Sequence, residues 1–251
     1  MTENMANEGR IALVTGGAVR VGRSIVRELA ARGYRVAVHA STSLDKAQKL
    51  VQELAGEGHD AAAFGAELRD EEAVRAMIDR VRRHFGRLDA LVNNAAIWSP
   101  TPIETVAGDD VRRFFEINAL GTFICCQHAG LAMARQESGG AIVNIGDWAV
   151  ARPYRNYSAY FVSKATIPTM TRLFAVELAP RVRVNAVMPG PVMLPEIFSE
   201  EDRRRSIQGT LLRRPGRPEN VAQAVVSLLE NDFINGVCLP VDGGRSIGET
   251  G

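Results

Sequence analysis

The sequence predicts an α/β fold: a single-domain, doubly wound parallel sheet flanked by helices. Three observations carry that expectation. Short apolar runs alternate with longer amphipathic stretches along the whole chain. Most of the short runs are continuously apolar rather than alternating, as strands buried on both faces are. A glycine-rich turn directly follows the first run and opens the first helical stretch, the place where a parallel βα unit turns helix N–H groups toward an anion.

The predicted strands are residues 11–15, 36–39, 61–64, 88–93, 141–145, 182–187 and 237–241. Among the helices between them, the clearest places Ala47, Leu50, Val51 and Leu54 at i, i+3, i+4 and i+7 and stops at Gly56 and Gly58. No Pro/Gly/Ser-rich linker, internal repeat or shift in composition divides the 251 residues. Residues 10–251 therefore read as one domain behind a flexible tail of residues 1–9. The stretch 191–218 departs from the pattern, because Glu200, Glu201 and Asp202 run into Arg203, Arg204 and Arg205, with Arg213, Arg214 and Arg217 beyond. It reads either as a solvated helix face or as a lid over the substrate that offers an arginine to an anionic group.

Charge and composition exclude several classes of function. Lys plus Arg is 30 and Asp plus Glu is 29, leaving a net charge of +1 and no global field toward nucleic acid or an anionic membrane. With 46% hydrophobic and 24% charged residues the chain is not a disordered one. Its 3 cysteines, two of them the neighbours Cys125 and Cys126, provide neither a disulfide framework nor C-x-x-C spacing. No metal site is expected, and a reducing cytoplasm suits such thiols. No apolar run reaches about 18 residues and the first ten residues lack an apolar signal core, so the expectation is a soluble cytoplasmic protein.

The turn reads Thr15-Gly16-Gly17-Ala18-Val19-Arg20-Val21-Gly22, and glycines here let the backbone approach a pyrophosphate. It resembles the T-G-x-x-x-G-x-G turn of the short-chain dehydrogenase/reductase family, with Arg20 where the middle glycine usually stands. That substitution is similar to the T-G-x-x-x-R-x-G variant of the pteridine reductase branch. The resemblance implies a Rossmann-type sheet, with Gly16, Arg20, Val21 and Gly22 as cofactor contacts. A guanidinium there adds charge-assisted bonds and can also reach a substrate in the same cleft. At the end of the second strand an Asp or Glu would bind the ribose 2′-hydroxyl of NAD, but the sequence is Val38-His39-Ala40-Ser41-Thr42-Ser43 and the first carboxylate is Asp45. Without that acid a 2′-phosphate is not repelled, and Ser41, Thr42 and Ser43 can donate to it. His39 is either a further donor or an ordinary strand-end histidine. NADPH is the expected cofactor. The resemblance also implies Glu67 and Leu68 at the adenine, Asn93 and Ala95 behind the cofactor, and Pro189, Gly190 and Val192 against the nicotinamide.

Tyr160 and Lys164 fall at i and i+4 of a helical stretch and so share one face. A fixed cation beside a phenol favours the tyrosinate and lowers its pKa from about 10 toward working pH. Family resemblance gives Lys164 a second role on the nicotinamide ribose and gives Asn118, in Phe115-Glu116-Ile117-Asn118-Ala119, the water of a proton relay. Thirteen residues before the tyrosine, where the family normally carries a serine, stands Asp147. An ionised carboxylate only accepts hydrogen bonds and repels a developing alkoxide, so simple ketone reduction is disfavoured. Asp147 suits a substrate with ring N–H donors, or one whose ring nitrogen takes a proton as hydride reaches the adjacent carbon of a C=N bond. Pteridine reductases carry an aspartate here.

Trp98, after Asn93-Asn94-Ala95-Ala96-Ile97, resembles the aromatic residue that stacks on the pterin in that branch. On its own a loop tryptophan is a packing residue. Tyr157 and Tyr154 fit the pocket wall. Ala96 departs from the serine often found in the branch, and Trp148 has no counterpart. The expected function is NADPH-dependent reduction of a planar heterocycle, a pterin or dihydrofolate-like ring. The alternatives are a general short-chain carbonyl or oxoacyl reductase and a catalytically silent NADP-binding scaffold. The resemblance implies a homotetramer built on helices around residues 118–133 and 158–178.

Overall fold

The computed structural model of the chain describes residues 9–194 and 198–248. The expected tail, apart from Gly9, and residues 195–197 of the expected lid lie outside the described residues. Seven strands, β1 (Ile11–Thr15), β2 (Arg35–Ala40), β3 (Ala61–Gly65), β4 (Ala90–Asn93), β5 (Gly140–Ile145), β6 (Val182–Pro189) and β7 (Cys238–Val241), form one sheet. Its order is β3-β2-β1-β4-β5-β6-β7 with every pair parallel. The order reverses between β1 and β4, which opens a crevice at their carboxyl ends where ligands bind in such sheets. β4 begins two residues later than its apolar run, because Gln136 takes both the N–H (3.0 Å) and the carbonyl (2.7 Å) of Leu88.

Helices α1 (Arg20–Ala31), α2 (Leu44–Gly56) and α9 (Pro218–Glu230) cover one face of the sheet. Helices α3 (Glu71–Phe85), α5 (Gly121–Ala134) and α7 (Thr166–Glu177) cover the other. The core on both sides explains the continuous apolar run of β1. Ala12 and Val14 belong to the layer of Ile25, Leu29 and Leu50, while Ile11 and Leu13 belong to that of Met77, Val81 and Met133. Each fully buried Leu or Ile in these layers contributes about 1.5–3 kcal/mol.

The remaining helices are α4 (Gly108–Phe115), α6 (Ser158–Lys164) and α8 (Glu200–Gln208). A π-helical turn, Glu116–Leu120, joins α4 to α5, and a 3-10 turn, Trp148–Ala151, follows β5. The continuous helical run Gly108–Ala134 has an apolar window of membrane-spanning hydropathy, but 61% of that window is buried in the protein, as in a core helix. Within the expected lid, α8 is a solvated helix with no buried residue, and Arg205 pairs with Glu201 one turn back.

Candidate active site

At the crevice, two glycines of the first turn have no substitute. Gly16 has φ +60, and a Cβ there would sit 2.9 Å from the Cα of Ala95; a Cβ on Gly22 would overlap the carbonyl oxygen of Gly16. The turn is locked to the end of β4. Thr15 Oγ1 accepts the N–H groups of Asn94 (3.0 Å) and Ala95 (3.1 Å), and Asn94 Nδ2 donates to the carbonyls of Thr15 and Gly16 at 3.0 Å each. Thr15 and Asn94 are unremarked by residue type, and only their places beside the glycines and Asn93 hint at this lock. No side chain caps α1, so its first N–H groups are available to an anion, and Val21 packs against the core below them. Arg20 has φ +53, the left-handed backbone that favours glycine, and its exposed guanidinium donates to the carbonyl of Met193 over 3.4 Å. The arginine thus spans from the start of α1 to the segment after β6.

At the end of β2, Ser41 and Thr42 are exposed and Ser43 precedes α2 without a side-chain cap bond. His39 corrects the expectation of a phosphate donor. Its ring is fully buried, Nδ1 accepts the Gly16 N–H (3.2 Å), and Nε2 donates to the carbonyl of Ala66 (3.0 Å), so both ring nitrogens are engaged. Burial pushes its pKa down, consistent with a neutral ring that braces the glycine turn. Asn93 lies inside the sheet: its amide nitrogen donates to Asn144 Oδ1 (2.9 Å) and Cys126 Sγ (3.1 Å), so the side chain ties β4 to β5, while its buried Oδ1 has no hydrogen-bond partner among the described residues. Leu68 packs toward Gly121, and exposed Glu67 pairs with Arg69 at 3.3 Å. Pro189 ends β6 opposite Val241. Beyond it, the N–H of Gly190 bonds the Val241 carbonyl and that of Val192 bonds the Gly190 carbonyl (2.8 Å), so the Val192 N–H is already spent.

The candidate catalytic residues converge from the end of β5, the 3-10 turn and α6. Asp147 caps the 3-10 turn, Oδ1 accepting the Ala149 N–H at 2.8 Å, while Oδ2 accepts the Tyr160 O–H at 2.7 Å. Buried Lys164 donates to the carbonyl of Ile145 at 2.7 Å. Burial raises the pKa of Asp147, against the opposing Ala149 N–H, Tyr160 hydrogen bond and Lys164 charge. Burial lowers that of Lys164 to about 8, with the Asp147 charge opposing. Tyr160 stands well above its ordinary value, through burial first and then the charge and hydrogen bond of Asp147. The expected lowering of the phenol is therefore reversed: its partner is a carboxylate, and the ammonium spends a proton on Ile145. Such a phenol is protonated at neutral pH and equipped to donate.

The π turn presents Asn118, as such bulges often do at functional sites. Its side chain is engaged throughout: Oδ1 accepts the Ile97 N–H (2.8 Å), and Nδ2 donates to the Ile97 carbonyl (3.1 Å) and Ser163 Oγ (3.0 Å). Its backbone carbonyl accepts from Thr122 Oγ1 at 2.9 Å. Trp98 stacks within the protein, on Tyr157, with centroids 4.5 Å apart and planes at 21°, and Phe198 approaches it at 6.1 Å. Tyr154 sets its ring edge-on to Tyr157 and Phe161, and burial pushes its phenol up to about 12. Trp148 lies under the guanidinium of Arg245, a residue that no motif in the sequence singles out.

A glycine turn at the sheet's switch point, with Tyr160, Lys164 and an acid at a nearby strand end, is the architecture of a dinucleotide-dependent oxidoreductase. Residues 17–246 match the family model described as enoyl-(acyl carrier protein) reductase. The chain is 36% identical over 249 residues to the granaticin polyketide synthase putative ketoacyl reductase 2 of Streptomyces violaceoruber, covering 96% of this chain and 98% of that protein. It is 35% identical over 238 residues to the 3-oxoacyl-[acyl-carrier-protein] reductase FabG of Staphylococcus aureus, covering 93% and 96%. The crystal structure of FolM alternative dihydrofolate reductase 1 from Brucella canis, complexed with NADP, superposes with a TM-score of 0.90 at 30% identity, covering 97% of this chain and 96% of that one. The chain belongs to the short-chain dehydrogenase/reductase family.

Proposed function

We propose that this oxidoreductase uses NADPH to reduce a C=N bond in a pterin or dihydrofolate-like ring. The observation that carries the reading is Asp147, hydrogen-bonded to Tyr160, where a hydroxyl would serve a ketone. NADP(H) fits the residues present: the Gly16 and Gly22 cradle admits no Cβ, α1 starts uncapped, and the end of β2 offers hydroxyls and no carboxylate. The solved relative from Brucella canis, complexed with NADP, supports the cofactor. Gly16, Arg20, Val21 and Gly22 hold the pyrophosphate, Ser41, Thr42 and Ser43 the 2′-phosphate, and Glu67 and Leu68 flank the adenine. The backbone of Asn93 and Ala95 backs the cofactor, Pro189, Gly190 and Val192 line its nicotinamide end, and Lys164 takes the ribose hydroxyls.

When bound, the cofactor supplies a hydride to the ring carbon. Asp147 accepts ring N–H groups, which orients the heterocycle. The proton for the ring nitrogen travels from the Tyr160 O–H through Asp147 Oδ2, and Lys164 and the Asn118 carbonyl serve the path that resupplies Tyr160. Trp98 and Tyr157 form one aromatic wall, Tyr154 flanks the opening, and Arg20 meets the polar edge of the ring. The exposed Phe115, Leu120, Phe123, Leu173 and Val176 on α4, the π turn, α5 and α7 fit a homotetramer built on those helices. Buried, unpaired Cys125 and Cys126 suit a reducing cytoplasm.

A general oxoacyl reductase is the second reading, favoured by the names of the Streptomyces and Staphylococcus relatives. A silent scaffold has no use for the assembled Asp147, Tyr160 and Lys164. Parallel assays of NADPH consumption with dihydrobiopterin, dihydrofolate and an acetoacetyl thioester separate the three. Turnover of either pterin-type substrate supports the proposal, turnover of the thioester alone overturns it, and NADPH binding without any turnover favours the scaffold.

A further inference from the structure

We propose that Arg245 is a positioning residue that seats α8 against the wall of the substrate pocket through Trp148. The guanidinium lies 4.7 Å over the Trp148 ring and donates through Nη1 to the carbonyl of Ser206 in the last turn of α8. Trp148 follows Asp147 directly, so one side chain connects α8 to the turn that carries the acid. A Cβ on Gly209 would overlap the guanidinium, which explains a glycine at the end of that helix.

None of the residues of α8 is buried, so it lacks the apolar face that seats an ordinary surface helix. Just beyond it, the buried Thr210 hydroxyl shares its one proton between the carbonyls of Ile207 (2.9 Å) and Arg214 (3.1 Å), which ties the segment to itself. Links to the body of the fold follow directly after the helix: Thr210 lies beside Gly243, Leu211 beside Gly244 and Gly248, and the N–H of Leu212 donates to the Gly243 carbonyl at 3.2 Å. Arg245 itself is firmly anchored. The carboxylate of Asp242 accepts the N–H groups of Gly244 (2.9 Å) and Ser246 (2.7 Å), closing a turn around the arginine. A planar guanidinium can stack on an indole and donate in its own plane at once; a lysine ammonium cannot do both in the same way. Phe198, two residues before α8, approaches Trp98, so the seat of the helix also affects the aromatic wall.

Arg245→Lys and Arg245→Ala test the assignment in the full chain through two readouts. Trypsin cleavage after Arg203, Arg204 and Arg205, located by mass spectrometry, is expected to quicken about fivefold or more in both variants, since cleavage tracks the population of the detached segment. The KM for dihydrobiopterin is expected to rise about tenfold with kcat and the NADPH Kd each within about twofold, a split that general destabilisation does not produce. Unchanged cleavage in both variants overturns the proposal. So does an equal loss of substrate and NADPH affinity, or faster cleavage with an unchanged KM. The KM readout rests on the pterin reading and the proteolysis readout does not. If the protein turns over only the thioester, KM is measured with that substrate instead.

Discussion

The phenolic O–H of Tyr160 donates to Oδ2 of Asp147 over 2.7 Å, while Oδ1 of the same carboxylate accepts the Ala149 N–H over 2.8 Å. Two groups that would compete for one carbonyl oxygen are here donor and acceptor to each other. Together they offer a heterocycle an edge that accepts and a proton that can be passed on. Burial raises the phenol well above its ordinary value, and the Asp147 carboxylate beside it adds to the rise, so Tyr160 keeps the proton at the site for the reductive direction.

The activity should carry the pKa of Lys164. Burial lowers it to about 8 and the Asp147 charge partly offsets that. Reduction consumes a proton, and the cation is the form that supports its delivery, so kcat/KM for reduction is expected to fall about tenfold per pH unit above that value. Asp147→Asn removes the charge that holds Lys164 up, so in this variant the break in the residual activity moves to lower pH. A pH–rate profile on both proteins checks this, and a break that stays or moves upward contradicts it.

Arg20 separates backbone strain from ligand contact. Its φ of +53 is costly for an arginine, whereas glycine adopts it freely. Arg20→Gly is expected to leave the melting temperature unchanged or slightly higher, because relieved strain is balanced by the entropy of a freer unfolded chain. The NADPH Kd should nevertheless weaken about tenfold through loss of a charge-assisted contact. Thermal unfolding and a fluorescence titration decide; lower stability with unchanged affinity would give Arg20 a purely structural role.

Asn144 is the junction of a buried polar network. It accepts from Asn93 Nδ2 over 2.9 Å and donates to Thr171 Oγ1 over 3.1 Å. Asn144→Ala strands groups that have no access to water, at a cost of about 1–3 kcal/mol in chemical denaturation. The NADPH Kd is expected to stay within about twofold, because the network faces the core. A large loss of cofactor affinity without loss of stability would contradict that assignment.

The sheet is legible in the sequence because its central strands are apolar on both faces, as Ile11, Ala12, Leu13 and Val14 show. Glycine spacing locates the turn at the crevice, and counting back from Tyr160 locates Asp147. The same double burial hides the direction of His39 and Asn93, since a strand with two core faces has no polar side to set the alternation. Both residues sit close to the motifs and act as braces for them. The π turn at Asn118 follows from no residue pattern, and the phenol's raised pKa comes from burial and a partner that only the fold brings beside it. Arg245 and Trp148 meet from distant parts of the chain, beyond the reach of any local motif.

The central claim is that Asp147 selects a ring over a ketone, and the direct measurement is the ratio of kcat/KM for dihydrobiopterin to that for an acetoacetyl thioester in the unaltered protein and in Asp147→Ser. Loss of the acceptor is expected to lower that ratio by about a hundredfold while the NADPH Kd changes by less than about twofold. A ratio left unchanged by the substitution would contradict the claim.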